Sequence, residues 1–218
     1  MNLKAIFLFV LLVVFGTAQA QTYSLAFSAN QSYQNLVNDT VLSDTQWVAK
    51  KYKIVLPFPV RISNAVVNTI YVDTDGRIMR LATSGGSTFF RTLVWGFGNC
   101  GLRQKENDTS RVSWVMEGTT PNRIAKVQFR NAGFVGDETH TDKLNFQIWI
   151  HEDGKRFELA FGPTQANLMR AMNGAYGPLL GIGIQYIRGT PTVPILSTAD
   201  YGLNGLPQNG QTYRFSRP

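Results

Sequence analysis

Polar and apolar residues alternate along most of the chain after Tyr23, and turn residues interrupt the alternation at intervals. A period of two is typical of half-buried β-strands, because successive side chains of a strand point to opposite faces of the sheet. The alternation is clearest at residues 143–161, where two such runs flank Asp153-Gly154. This segment therefore predicts a β-hairpin.

The turn and the pattern together predict the register of this hairpin. Asp-Gly favours a two-residue type I′ turn. With that turn, three apolar pairs share one face: Phe146 with Phe161, Ile148 with Leu159, and Ile150 with Phe157. The other face receives Gln147 with Ala160, Trp149 with Glu158, and His151 with Arg156. A slip by one residue would turn every apolar group toward water, so only this register fits both signals.

Alternating runs separated by turn residues continue along the rest of the chain. Asp75-Gly76 predicts a second hairpin, with Ile70 opposite Leu81 and Val72 opposite Met79. Further strands are predicted at residues 23–27, 52–60, 88–95, 111–117, 123–130, 179–187 and 212–215, and one short helix at residues 164–173. About ten strands with one short helix predict an all-β fold, an antiparallel β-sandwich of the jelly-roll or lectin-like kind.

The first twenty residues differ from the rest of the chain. Lys4 precedes an apolar run at residues 5–15, and Ala18-Gln19-Ala20 supplies the small-x-small pattern that signal peptidases recognise. The run is too short to span a bilayer, which takes about 20 apolar residues. We therefore expect residues 1–20 to be a signal peptide cleaved after Ala20, residues 21–218 to form a single β-sandwich domain, and the protein to be secreted or periplasmic.

Charge, cysteine content and one short motif argue against a nucleic-acid partner, an internal disulfide and a nucleotide cofactor. The net charge is +7, but lysine and arginine are scattered without a basic stripe, so we expect no nucleic-acid partner. Cys100 is the single cysteine, which excludes an internal disulfide. Residues 96–101 match the dinucleotide fingerprint Gly-x-Gly-x-x-Gly, but a polar loop rather than a helix is predicted to follow. We therefore expect no cofactor.

The outer face of the first hairpin carries the best chemistry for a binding site. Trp149 lies there among amide and charged groups, an arrangement suited to contact with a sugar ring and its hydroxyls. The candidate ligand-binding residues are Gln128, Asn145, Gln147, Trp149, Arg156 and Glu158. The alternative is that Trp149 packs under a loop or a second sheet.

Acidic residues crowd one predicted loop, at residues 137–142. Oxygen ligands of this kind suit calcium, but their spacing does not match an EF-hand and a closing glycine is missing at the required offset. We expect no metal, with Asp137, Glu138 and Asp142 as the candidate ligands if one binds.

Catalytic patterns are scarce in this sequence. No Gly-x-Ser-x-Gly elbow occurs, and no predicted strand carries two acidic residues at i and i+2 in an aromatic setting. We therefore expect a non-enzymatic binding or structural module, with a glycan or another cell-surface component as its partner. The alternatives are a polysaccharide-active hydrolase that uses Glu117 or Glu158, and a purely structural envelope protein.

Five segments, all turns or strand cores, share features with known proteins: Leu56-Pro57-Phe58, Ile70-Tyr71-Val72, Pro121-Asn122-Arg123, Asn145-Phe146-Gln147 and Gly205-Leu206-Pro207. Together they resemble a family of secreted Bacteroidota β-sandwich domains that often precede a type IX secretion sorting domain. More distantly, they resemble the nidogen-like extracellular domain. The resemblance implies a β-sandwich and no catalytic or ligand residue. Since no sorting domain follows, we expect the periplasm or the medium rather than surface attachment.

The signal peptide gives a first prediction. Protein recovered in folded form after export should lack residues 1–20 and begin at Gln21, because the peptidase cuts after the small residue Ala20. Intact-mass measurement of the exported protein checks this. A folded, exported species whose mass still includes Met1 would contradict it.

Overall fold

The computed structural model describes residues 24–44, 50–62, 65–74, 79–82, 92–98, 102–104, 110–134, 141–166, 181–184, 199–202 and 205–216. This part of the chain forms strands and contains no helix. The strands are β1 Ser24–Ser28, β2 Thr40–Ser43, β3 Lys51–Ile62, β4 Ala65–Thr74, β5 Met79–Ala82, β6 Thr92–Gly98, β7 Leu102–Gln104, β8 Arg111–Glu117, β9 Ile124–Phe134, β10 Leu144–His151, β11 Arg156–Phe161, β12 Gly181–Ile184, β13 Ala199–Gly202 and β14 Thr212–Ser216.

The strands form two antiparallel sheets. Sheet A has eight strands in the order β1-β14-β11-β10-β9-β8-β2, with β7 paired beside β9. Sheet B has six strands in the order β13-β12-β6-β5-β4-β3. The predicted all-β antiparallel sandwich is therefore confirmed. In the described ranges, no helix is long and apolar enough to cross a membrane.

The core consists of the apolar faces of both sheets. In β3, exposure alternates along the strand, so Ile54, Leu56 and Phe58 are buried while Val55 is exposed. In sheet A, Phe146 stacks on Phe129 with ring centroids 4.7 Å apart. Burying one such side chain stabilises the fold by about 1.5–3 kcal/mol. The core residues share near-complete burial: Ile54, Leu56, Phe58, Val60, Ile70, Val72, Val112, Ala125, Val127, Phe129, Ala132, Leu144, Phe146, Ile148, Ile150, Phe157, Leu159, Phe161 and Phe215.

The first predicted hairpin is confirmed in register and corrected in its turn. β10 and β11 pair as predicted from Phe146 opposite Phe161 to Ile150 opposite Phe157. A type I′ turn needs positive φ at both central residues, yet only Gly154 (φ 63°) has it, and Asp153 does not. The Gly154 N–H instead donates to the His151 carbonyl at 3.0 Å. The register is kept because the observed turn still lies at Asp153-Gly154, while the apolar face excludes a slip by one residue.

The second predicted hairpin is wrong by two residues. β4 and β5 do pair, but Val72 lies opposite Leu81 rather than Met79, and Thr74 lies opposite Met79. A shift by two keeps every residue on its predicted face, so the hydrophobic pattern could not distinguish the two registers. The turn residues Asp75-Gly76 lie outside the described residues.

Most of the other predicted strands are found where expected. Residues 111–117 form β8, and the strands predicted at 23–27, 52–60, 123–130 and 212–215 differ from the observed ones only at their ends. The strands predicted at 88–95 and 179–187 overlap β6 and β12. The sequence pattern missed β2, β7 and β13, which are too short for an alternation to show. The predicted helix falls largely outside the described residues; at its start, Gln165 forms a β-bridge with Lys143.

A segment without secondary structure, residues 29–39, joins β1 to β2 and is called the strap. The strap joins the two edge strands of sheet A, and its hydrogen bonds with Gln128 and Gln147 show that it crosses the face of the sheet that points away from the core. Its two ends are fixed by a hydrogen bond from the Gln31 N–H to the Gly210 carbonyl and by an ion pair between Asp39 and Arg111.

Tyr33 anchors the middle of the strap. Burial raises the pKa of its phenol well above the usual range, against the opposing effect of hydrogen bonds with Gln147 and Gln128. Its ring packs so closely on Gly162 that a Cβ at that position would lie 2.4 Å from a ring carbon. Residue 162 must therefore be glycine for the ring to take its place.

This close approach gives a second prediction. Gly162→Ala should lower the free energy of unfolding by about 1–3 kcal/mol, because overpacking forces Tyr33 out of position. It should also speed hydrogen exchange in the strap, at the amide of Leu36. Gly205→Ala is the matched control, since a Cβ there meets nothing within 4 Å. Equal effects of the two substitutions in denaturant titration would contradict this packing.

Candidate functional site

The predicted binding residues separate into two groups in the structure. Gln147, Trp149 and Glu158 line one cleft on the outer face of sheet A. Gln128, Asn145 and Arg156 do not line it. Three of the six predicted residues therefore lie at this cleft, and their role in binding stays a prediction.

Gln128 and Gln147 hold the strap. Each is only 2% exposed. The Gln128 amide donates to the Asn35 side chain at 2.5 Å, and its oxygen accepts the Leu36 N–H at 2.7 Å. The Gln147 amide donates to the Gln34 carbonyl at 2.7 Å. The side chain of Gln128 thus has its hydrogen-bond partners within the protein, as buried amides usually do, and its role in ligand binding stays a prediction.

Asn145 and Arg156 also have structural partners. Asn145 is 8% exposed. It accepts the Asn131 N–H at 3.0 Å and donates to the Pro163 carbonyl at 2.6 Å. Arg156 pairs through Nε with Asp153 at 2.6 Å, beside the hairpin turn. These contacts hold a loop and a turn, and they explain why neither residue reaches the cleft.

The cleft has a volume of about 550 Å³ and lies between the strap, the edge strand β1 and the outer face of sheet A. Residues 31–34 of the strap line it, as do Ala26 and Ser28 of β1. Such a volume is within the usual range of small-ligand sites, about 300–1,000 Å³. The strap thus turns an open sheet face into a concave surface.

Four side chains on neighbouring strands cross the floor of the cleft in one row. Arg214 of β14 lies opposite Glu158 of β11. Trp149 of β10 lies opposite Glu158 on one side and Lys126 of β9 on the other. All four line the cleft. Neighbouring strands are about 4.8 Å apart, so the row places an indole, a carboxylate and two cations within reach of one ligand.

Trp149 is half-buried and held at two points. Its Nε1–H donates to the Gln147 side-chain oxygen at 2.8 Å. The Lys126 ammonium lies 4.4 Å from the centroid of the ring, a cation–π contact. The indole is thus partly covered and partly exposed, and both the binding role and packing under a loop or a second sheet stay predictions. Its remaining surface faces the cleft.

Glu158 is a buried carboxylate held between two basic groups. It is 3% exposed. Its Oε1 lies 2.7 Å from His151 Nε2 and 3.1 Å from Arg214 Nε, and its Oε2 accepts from Arg214 Nη2 at 3.3 Å. Burial alone would raise the pKa of Glu158, but the hydrogen bonds and charges of His151 and Arg214 outweigh it and lower the pKa. Glu158 is therefore ionised at neutral pH.

Lys126 and Arg214 are the charged residues of the cleft that the sequence did not suggest. Lys126 pairs with Glu117 at 2.5 Å as well as contacting Trp149. It lies two positions before Gln128 on the same strand, so the alternation could have revealed it. Arg214 is 56 residues from Glu158 in sequence. Because only the pairing of β11 with β14 joins these two, no local pattern could have indicated Arg214.

Of the three candidate metal ligands, the structure describes only Asp142, which does not line this cleft. Asp137 and Glu138 lie outside the described residues, and Asp142 is 2% exposed. No group of three or more histidine, cysteine, aspartate or glutamate residues suited to a metal occurs in the ranges that the structure covers. The prediction of no metal stays a prediction.

Comparison with known proteins gives one match. A family model described as NIDO related matches residues 22–217, which is nearly the whole chain. No curated protein and no solved structure gives a significant match. The cleft and the row of side chains on its floor both lie within the matched range.

The ion pairs of Glu158 give a third prediction. Since its pKa is lowered by folding, ionised Glu158 stabilises the protein above the unfolded pKa of about 4.3. That contribution is lost as the pH falls through the folded pKa. Glu158→Gln should therefore lower the free energy of unfolding by about 1–3 kcal/mol at pH 7, with a much smaller difference at pH 3.

Denaturant titrations of both proteins at pH 7 and pH 3 measure this difference. Glu117→Gln is the control, because its side chain is 46% exposed and its surface ion pair should contribute less than about 1 kcal/mol. A Glu158→Gln effect of the same size at both pH values would show that the carboxylate charge is not what stabilises the site.

Proposed function

Since the chain belongs to the NIDO-related family over residues 22–217, we propose that it is a non-enzymatic, extracellular binding module that holds a glycan in the cleft of sheet A. The observation that carries this proposal is the position of Trp149, whose half-buried indole lines the cleft beside Lys126 and Glu158. Sugar sites combine an apolar ring surface with directed hydrogen bonds.

The cleft supplies both kinds of contact. Lys126 covers part of the indole, so a sugar ring contacts the indole surface that remains exposed to the cleft. The strap adds amide and hydroxyl groups to the same cleft, from Gln31, Ser32 and Gln34. These groups are carried on a segment fixed by buried hydrogen bonds, which limits the ordering cost of binding.

The state of the carboxylates favours binding over hydrolysis. A glycosidase needs one carboxylic acid with a raised pKa to protonate the leaving group. The pKa of Glu158 is instead lowered by its contacts with His151 and Arg214, and Glu117 pairs with Lys126. A polysaccharide-active hydrolase that uses Glu117 or Glu158 is the alternative, and a purely structural envelope protein is a third.

The proposed setting of this activity is outside the cytoplasm. The NIDO-related family is compatible with an extracellular context, and the first twenty residues have the features of a signal peptide. We also propose that the signal peptide is cleaved after Ala20 and that residues 21–218 form one domain. We further propose that the protein is related to the secreted Bacteroidota proteins whose domains often precede type IX sorting domains.

Loss of the indole gives a fourth prediction. On a glycan array, the wild-type protein should bind one class of glycan, and Trp149→Ala should bind it at least tenfold more weakly. Trp114→Ala is the matched control, because Trp114 is a partly buried tryptophan of β8 that does not line the cleft. It should lose stability without losing glycan binding.

Three other outcomes would contradict the proposal. Release of sugar products from a bound polysaccharide would support the hydrolase instead. Equal loss of binding in Trp149→Ala and Trp114→Ala would place the glycan outside the cleft. Absence of binding by the folded wild-type protein to every glycan would favour a structural role.

A further inference from the structure

The cleft presents more positive than negative charge to a ligand. Its lining contains two cations, Lys126 and Arg214, and one carboxylate, Glu158. The Glu158 side chain is only 4% exposed, whereas that of Arg214 is 51% exposed. A ligand that enters the cleft therefore meets the arginine, and the carboxylate lies beneath it.

Glu158 fixes the position of Arg214. The carboxylate contacts Nε and Nη2 of the guanidinium. A guanidinium has five N–H donors in a planar fork, so these two contacts leave other donors of the fork to interact with a ligand. An arginine held by a buried partner loses little side-chain freedom when it binds a second group.

The register sets the distance between this arginine and the aromatic surface. Trp149 and Arg214 lie on β10 and β14, with β11 between them. Two strand spacings correspond to about 10 Å between backbones, and both side chains extend over the same face. On the far side of Trp149, Lys126 adds a second cation. The neighbour of the indole on one side is therefore the buried Glu158 with Arg214 beyond it, and on the other side it is Lys126, which also pairs with Glu117.

We propose that the glycan bound in the cleft is acidic, with a uronic acid whose carboxylate binds the guanidinium of Arg214 while the sugar contacts Trp149. This inference rests on the proposed function and adds the ligand class. Arginine and carboxylate form paired, charge-assisted hydrogen bonds of matched planar geometry. Sulfated sugars share the negative charge but not the planar carboxylate, so they serve as an arm of the test.

The test measures binding by calorimetry to oligogalacturonate and oligoalginate, each as the free acid and as its ester. The ester keeps the sugar backbone and removes the charge. The wild-type protein should bind at least one acid at least tenfold more tightly than its ester. A neutral galactan and a sulfated galactan complete the set of probes.

Arg214→Gln should weaken binding of the acid at least tenfold and change binding of the ester little. Arg156→Gln is the matched control, since Arg156 lies on the neighbouring strand β11 and pairs with Asp153 outside the cleft. Arg214→Lys keeps the positive charge beside Glu158, so this variant is expected to fold. It tests whether binding of the acid needs the planar guanidinium or only a positive charge. Melting temperatures of all three variants establish that binding is compared between folded proteins.

The outcomes separate the two proposals. Equal affinity for acid and ester, or binding of the neutral galactan alone, overturns the proposal that the ligand contains a uronic acid. The proposal of a glycan-binding module is not affected by that result. Tighter binding of the sulfated galactan than of the uronic acids overturns the proposal that Arg214 binds a carboxylate. Equal losses in Arg214→Gln and Arg156→Gln overturn the assignment to Arg214. Binding to none of these probes, together with an array on which no glycan binds, overturns both proposals.

Discussion

The hydrogen bonds of two buried glutamine side chains determine the surface that this protein presents. Gln128 and Gln147 lie on neighbouring strands directly opposite each other, and both direct their amides to backbone or side-chain groups of the strap. Leaving such a buried group without a partner costs about 1–3 kcal/mol. The strap and the sheet therefore stabilise each other, and the cleft exists only while the strap is in place.

Glu158 has the corresponding role among the charged groups. One buried carboxylate contacts both His151 and Arg214, so it joins side chains of three positions into one hydrogen-bonded group. It also holds the guanidinium over the cleft in a defined orientation. The negative charge therefore lies beneath the surface of the cleft, and the arginine donors lie at the surface.

How much of this could be predicted depends on the range of the interactions. The register of β10 and β11 follows from two local signals together, an alternation that excludes a slip by one residue and a turn at Asp153-Gly154 that sets the pairing. The register of β4 and β5 is wrong by two residues, because both solutions keep the same residues buried. At the cleft, Gln147, Trp149 and Glu158 come from the predictable hairpin. The strap could not be predicted, since Tyr33 and Gln128 are 95 residues apart and no pattern in either segment indicates the other.

The pairing of the first and last strands has a consequence for how the protein reaches its fold. Ser24 of β1 and Ser216 of β14 are 192 residues apart, yet they are neighbours in sheet A. Contacts of such long sequence separation have a high entropic cost of loop closure and slow the folding of β-proteins. During synthesis, β1 has no partner until β14 has been made, and the strap that follows β1 cannot cross a sheet that still lacks β11 and β14. The cleft is thus among the last parts of the molecule to form.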